Sequence, residues 1–295
     1  MNARFLPFKW LLSSLLLVSH LAWSANDKAF FYEVQGESSS LYLFGSVHLA
    51  DDSFYPLRAE VEQAFAASDR LVVEVNPLTI DSATVQAIAE MGYYPPGENL
   101  ADHLGADQLE FIKSLAASFG IPDAMFLRMR AGMVLLTVQQ IQLQQMGYEP
   151  SKGIDVHFLV PAMSQQKPVV ELETVLEQME LLMNLGTEEQ VVKAIKQQLE
   201  QGDEYIAELF SLWKQGDETK MEKLLISDEL DKHPEYLPIY NKLFFNRNTT
   251  MSRSLDALLH SEPGISFVVV GAGHLLGETG IVEQLRAKGY RITRR

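Results

Sequence analysis

The chain has 295 residues, 47% of them hydrophobic, a formal net charge of −15 and no cysteine. This is enough apolar material for one large core or two small ones. The acidic balance argues against a phosphate-backbone partner, so no nucleic acid is expected. The missing cysteine rules out disulfides, thiolate nucleophiles and zinc–thiolate sites.

Residues 1–24 read as an export signal. Arg4 and Lys9 give a positive start, Trp10 to Leu21 is an apolar run too short to cross a bilayer well, and Ala22 and Ser24 place small residues at −3 and −1. Cleavage is expected before Ala25, giving a periplasmic or secreted chain, and no later stretch resembles a membrane span. Ala29 to Gln35 and Leu41 to Gly45 read as strands joined by a hairpin turn over Gly36 to Ser40. A helix over Leu57 to Ala67 follows, then a strand over Arg70 to Val75.

Residues 80–260 read as mostly helical, with helices over Ala106–Phe119, Pro122–Met146, Thr174–Leu185, Glu188–Glu200 and Glu204–Trp213. One strand, Lys167 to Glu171, interrupts them. The end returns to strand (Ile265 to Val270), helix (Gly277 to Lys288) and strand (Tyr290 to Thr293). The expected fold is α/β, with a central mixed sheet built from N- and C-terminal βαβ-like halves and a large helical insert over about residues 80–260. Residues 25–295 are expected to form a single domain.

Two matching segments lie far apart in the chain. Leu41-Tyr-Leu-Phe-Gly-Ser-Val-His48 and Phe267-Val-Val-Val-Gly-Ala-Gly-His274 are each an apolar run ending in Gly-x-x-His. A glycine at a strand end permits a sharp turn or close approach, and sites form beyond the carboxyl ends of such strands. His48 and His274 are therefore candidates for one shared site. Glu74 sits within an otherwise apolar strand, where a carboxylate needs a partner or a metal. Glu171 and Glu173 share a face at the end of another strand, although Glu173 also suits the start of the next helix. Arg247, beside Leu243 to Phe245, can pair with a carboxylate or stabilise an oxyanion. Asp155 and His157 fall on different faces of a helix, which makes them a weak joint metal pair.

Two histidines with carboxylates and no cysteine suit a divalent ion such as manganese, cobalt or zinc. The metal candidates are His48, Glu74 and His274, with Asp155 and Glu171 as further ones. Gly271-x-Gly273-x-x-x-Gly277 mimics a dinucleotide loop, but only one strand follows and no ribose-binding acid is available. There is no Gly-x-Ser-x-Gly elbow, His-Glu-x-x-His helix or phosphate loop.

The chain resembles the TraB/GumN family, which includes the Tiki metalloproteases and is related to ChaN-like proteins. The matching pieces, in order, are Tyr42 to His48, Leu71 to Val75, Gly153-Ile-Asp155, Glu171 to Thr174 with Glu177-Gln178, Asn246-Arg-Asn248 and Val270 to Leu275. The resemblance implies a shared α/β fold and a metal-assisted site of His48, Glu74, Arg247 and His274, all four as catalytic candidates. It departs at Arg128-Met-Arg130, where relatives often carry Lys-Pro-Trp, and at Asn246, where an acid is common. The expected function is an exported metal-dependent hydrolase, peptidase-like in the manner of the Tiki proteins, acting on a peptide or small-molecule substrate. The alternative is a non-catalytic haem- or metal-binding protein of ChaN-like type, with His48 or His274 as an axial ligand.

Overall fold

The computed structural model describes residues 27–261 and 263–295; the expected signal and its cleavage site lie outside them. Six strands form one mixed sheet: β1 (Phe31–Gln35), β2 (Ser39–Ser46), β3 (Arg70–Val73), β4 (Val169–Glu171), β5 (Gly264–Gly271) and β6 (Arg291–Arg294). Their order across the sheet is β4-β3-β5-β2-β1-β6. β1 runs antiparallel to both β2 and β6, so the other five strands share one direction. The C-terminal strand β5 slots between β2 and β3, and this joins the two ends of the chain in one sheet.

The burial follows from the composition of each strand. Phe267 to Val270 of β5 are fully buried, as a central parallel strand covered on both faces requires. The edge strand β6, Arg-Ile-Thr-Arg, is mostly exposed, and its charges discourage edge pairing. The β1–β2 hairpin pairs Gln35 with Ser40, and the Gly36 N–H donates to Ser39 O at 3.0 Å.

On one face, Phe44 and Phe267 meet Phe158 of the Ile154–Ser164 helix at ring distances of 5.9 and 4.8 Å. Phe65 of the Ala59–Ala67 helix and Trp213 close that cluster. Trp213 is fully buried and donates its indole N–H to Gly45 O at 2.8 Å. Ser39 points with Leu41 and Leu43 to the other face, where its hydroxyl donates to Leu259 O of the Asn246–Ser261 helix. A second buried cluster, including Leu100, Ile112, Phe126, Val134 and Ile195, holds the insert helices together.

The structure departs from the expected elements at one helix and one strand. The helix expected over Pro122–Met146 is broken into Asp123–Phe126 and Ala131–Gln145. Between them, Leu127 O and Arg128 O accept from the Leu100 and Tyr94 amides, and the Arg130 amide donates to Gly92 O. Backbone groups committed to that neighbouring loop cannot also make helical bonds. The break expected between the helices over Glu188–Glu200 and Glu204–Trp213 is present: within Glu188–Gln215 the backbone leaves the helical region at Gly202, with φ 75° and ψ −176°, and two helices meet there at a kink. The strand expected over Arg70–Val75 ends at Val73, which leaves Glu74 just past the sheet edge.

Candidate active site

The strand directions place the chemically interesting residues along one edge. β2, β3, β4 and β5 all end there, and Ser46 pairs with Gly271 while Val73 pairs with both Val269 and Glu171. Each strand then releases its polar side chain within three residues: His48 from β2, Glu74 from β3, Glu173 from β4 and His274 from β5. This is the crevice beyond the carboxyl ends of parallel strands, where α/β sheets usually bind ligands.

Glu74 is the centre of a hydrogen-bonded network, and only 4% of its surface is exposed. Its Oε1 accepts the Gly271 N–H, an approach that a side chain at Gly271 would crowd, since a Cβ there would lie 3.2 Å from that oxygen. Its Oε2 accepts from Arg247 Nη2 at 2.7 Å and from Gln178 Nε2 at 3.1 Å. Arg247 is also forked onto Glu173, with Nε to Oε1 at 2.9 Å and Nη2 to Oε2 at 2.7 Å. Its Nη1 donates to Leu243 O at 3.0 Å. Backbone register holds the two acids together, because the Glu173 N–H donates to Glu74 O at 2.9 Å.

His274 faces Glu74 from the other side, with Nε2 3.6 Å from Oε1. Asn248 determines how that ring presents itself. The Asn248 amide donates Nδ2–H to Thr279 O at 3.0 Å, so its Oδ1 is the atom 2.6 Å from His274 Nδ1. The Nδ1 therefore carries the proton, and the Nε2 lone pair is turned toward the Glu74 carboxylate.

His48 has an analogous arrangement at the surface. Its Nδ1 lies 2.9 Å from Asp155 Oδ2, while Asp155 Oδ1 accepts from the Ser46 hydroxyl at 2.8 Å. Gly153 makes this possible: the Ile154 amide donates to Val47 O, and a Cβ on Gly153 would sit 2.1 Å from His48 O. The His48 side chain is 66% exposed, and its Nε2 is left for solvent or substrate.

These environments set the protonation states. Burial pushes the Glu74 carboxyl up, but His274, Arg247, His48 and the Gly271 amide outweigh it and hold the group at about 2. Burial lowers His274 to about 4 against the pull of Glu74, so its imidazole is neutral above that pH, where Arg247, His48 and the Gly271 amide keep Glu74 ionised. Asp155 raises His48 above the ordinary imidazole value, and water screens that pair because the ring is exposed. Burial opposes the Arg247 charge, while Glu173 and Glu74 raise its affinity for the proton beyond the ordinary range.

A divalent ion fits this site at two donors. Glu74 Oε1 and His274 Nε2 are acceptors facing each other, and one oxygen with one imidazole suits manganese, cobalt or zinc. The fixing of His274 Nδ1 by Asn248 is the outer-shell pattern of metal-ligating histidines. Among the described residues, however, no group of three His, Asp or Glu is arranged to hold a metal ion. The expected set of His48, Glu74 and His274 is therefore not gathered into one cluster. His48 is drawn to Asp155, and Asp155 is itself occupied by His48 and Ser46. Glu171 is exposed, and its Oε2 accepts the Asn76 amide at 2.8 Å. His157 pairs with Glu62 at 2.7 Å, on a different face of its helix from Asp155.

Of the two roles expected for Arg247, pairing with a carboxylate is the one seen. Its Nε and Nη2 donate to Glu173 and Glu74 and its Nη1 to Leu243 O, so it anchors the two carboxylates. Gln178, Asn248 and Ser46 received no site role from the sequence, and Glu173 was one of two acids, with Glu171, of which one was expected to reach the site. The signal for Asn248 and Gln178 is their place beside Arg247 and at the end of Glu171-Leu-Glu-Thr174…Glu177-Gln178; that for Glu173 is its period-2 spacing from Glu171.

The chain matches the TraB/PrgY/gumN family over residues 30–294. It belongs to that family. The uncharacterized protein YbaP of Shigella flexneri is 25% identical over 278 residues, covering 91% of this chain and 94% of YbaP. Metalloprotease TIKI2 of Xenopus tropicalis is 26% identical over 302 residues, covering 85% of this chain and 57% of that protein. Metalloprotease TIKI1 of Danio rerio is 25% identical over 318 residues, covering 90% and 62% respectively. This chain thus spans about three fifths of the length of these Tiki proteins. No solved structure matches it. Among the described residues no helix is long and apolar enough to cross a membrane.

Proposed function

We propose that this protein is an exported, metal-dependent hydrolase of peptidase-like type. The observation that carries the reading is the Glu74–His274 pair, a buried carboxylate and a neutral imidazole with acceptor atoms facing across 3.6 Å, each braced from behind. The similarity to metalloproteases supports the same chemistry. Glu74 and His274 would hold the ion, with His48 Nε2 on the same strand edge. Bound there, a divalent ion would acidify a water for attack on a carbonyl.

The remaining roles belong to the chain's own residues. Arg247 and Gln178 hold the Glu74 carboxylate in place and ionised. Asn248 keeps the proton on His274 Nδ1. His48, with its raised proton affinity, carries a proton near neutral pH and delivers it from the exposed Nε2 to a leaving amine. Asp155 stabilises that imidazolium and aims the ring. Glu74, whose carboxyl is held at about 2, is a poor base, which favours a ligand or anchoring role.

The test is turnover of a peptide library by the purified protein with added manganese, cobalt or zinc, together with analysis of its metal content. Activity that follows the metal and disappears in His274→Ala and Glu74→Gln is expected. No turnover with any of the three ions, and no bound metal, would remove the proposal. The haem alternative has less support, because neither His48 nor His274 lines the apolar cavity of the helical insert.

A further inference from the structure

Between the Ala131–Gln145 helix, the kinked Glu188–Gln215 helix and the segment 223–245 lies a cavity of about 440 Å³. Such a volume is within the range of small-molecule sites. The cavity lies at the seam of the molecule: Leu209, Phe210 and Leu225 of its wall pack on the sheet core, whereas Leu135, Ile239 and Leu243 pack on the insert core.

Three irregularities of the backbone converge on it. The Gly202 kink lies between the wall residues Gln201 and Tyr205. Two π-helical turns, Lys223–Ser227 and Asn241–Phe245, turn Leu225, Leu243 and Phe244 into the space. π turns are uncommon and concentrate at functional sites.

The polar lining groups are amides, phenols and one carboxylate. Gln197, Gln198 and Gln201 face the cavity with Tyr205, Tyr236 and Tyr240, and the Gln201 amide donates to Glu229 Oε1 at 3.1 Å. Lys232 approaches the same oxygen at 3.6 Å but is not part of the wall. Glu229 is the one carboxylate among the lining residues, and no Lys, Arg or His is among them. An anionic head would therefore meet a like charge on the wall, with the nearest cation, Lys232, outside it, whereas a neutral or cationic head meets amides, phenols and a carboxylate.

We propose that this cavity is a binding site for a small amphiphile with an alkyl-chain-sized apolar body and an uncharged or cationic head. The head would lie against Gln201 and Glu229, and the body along Leu225, Leu243 and Phe244. Phe244 also packs 5.4 Å from the His274 ring, so a bound molecule lies one side chain away from the strand-edge site. The proposal stands independently of the hydrolase reading.

The experiment is titration of the full protein with the uncharged fluorescent probe N-phenyl-1-naphthylamine, followed by displacement with decanol, decylamine and decanoate. Saturable probe binding is expected, with decanol and decylamine displacing it at concentrations at least about tenfold below decanoate, the scale of one like-charge contact near a largely buried carboxylate. Leu243→Trp, which fills the space, should abolish probe binding. Glu229→Gln, a milder change that should leave the fold intact, should erase the advantage of decylamine over decanoate and leave decanol unchanged. Glu74→Gln should bind the probe as wild type does. Absence of probe binding, equal displacement by all three chains, or an amine advantage that survives Glu229→Gln would each overturn the proposal. Probe binding without peptide hydrolysis under any metal would leave it standing and remove the hydrolase reading alone.

Discussion

Replacing Arg247 by leucine removes the one cation that bridges Glu74 and Glu173. All three side chains are largely buried, at 15%, 5% and 12% exposure. Two carboxylates would then share Gln178 with no positive charge between them, and breaking a buried ion pair this way costs about 3–5 kcal/mol. The deficit depends on pH, with a sign that can be worked out. In the wild type the Glu74 carboxyl is held at about 2, below its unfolded value, so its stabilisation is complete above the unfolded pKa and is lost as pH falls toward 2. A depression from 4.5 to about 2 corresponds to about 3 kcal/mol. In Arg247→Leu, burial and Glu173 dominate and the carboxyl titrates higher, so acidification relieves the variant while it weakens the wild type. Urea unfolding at pH 8 and at pH 4.5 measures this; the deficit should shrink by more than about half between them. Adding Glu173→Gln to Arg247→Leu should recover part of the loss at pH 8. A deficit under about 1 kcal/mol at pH 8, the range of a surface ion pair, would refute the reasoning, as would one that does not change with pH.

Other consequences follow from the same geometry. Asn248→Ala frees the His274 tautomer and should reduce turnover by about 10- to 100-fold, with a matching loss of metal affinity in equilibrium dialysis. Gly153→Ala forces a Cβ into His48 O and should destabilise by about 1–3 kcal/mol in thermal unfolding. Its signature is loss of the raised His48 pKa in an NMR titration, because Asp155 is carried away from the ring. Wild-type stability should fall as pH drops from 6.5 toward 4: His274 is neutral in the folded state and held at about 4, so the unfolded chain binds its proton first. A urea midpoint unchanged over that interval in wild type, or an equal fall in His274→Ala, would contradict this assignment. Trp213→Phe leaves Gly45 O without its buried donor and should lower stability by about 1–3 kcal/mol.

Local sequence was sufficient for the strand identities and for the strand-edge position of the two histidines. Runs such as Phe267 to Val270 are apolar at every position, which only a doubly covered strand satisfies, and the following glycine marks where the chain must turn. Glu74 stood out for the same reason, as a charge in a segment that otherwise demands burial. The partners of these groups were a different matter. That β5 enters between β2 and β3 is a long-range pairing, and it alone brings Gly271 onto the Glu74 carboxylate. Whether Arg247 faces substrate or Glu173, whether His48 joins a metal cluster or Asp155, and whether Leu127–Arg130 continues a helix were decided by groups about 30 to 100 residues away. Periodicity records which face of an element is buried. It carries no information about which distant acceptor will satisfy a buried donor, and that requirement, met only in the assembled molecule, gives this site its charges and its geometry.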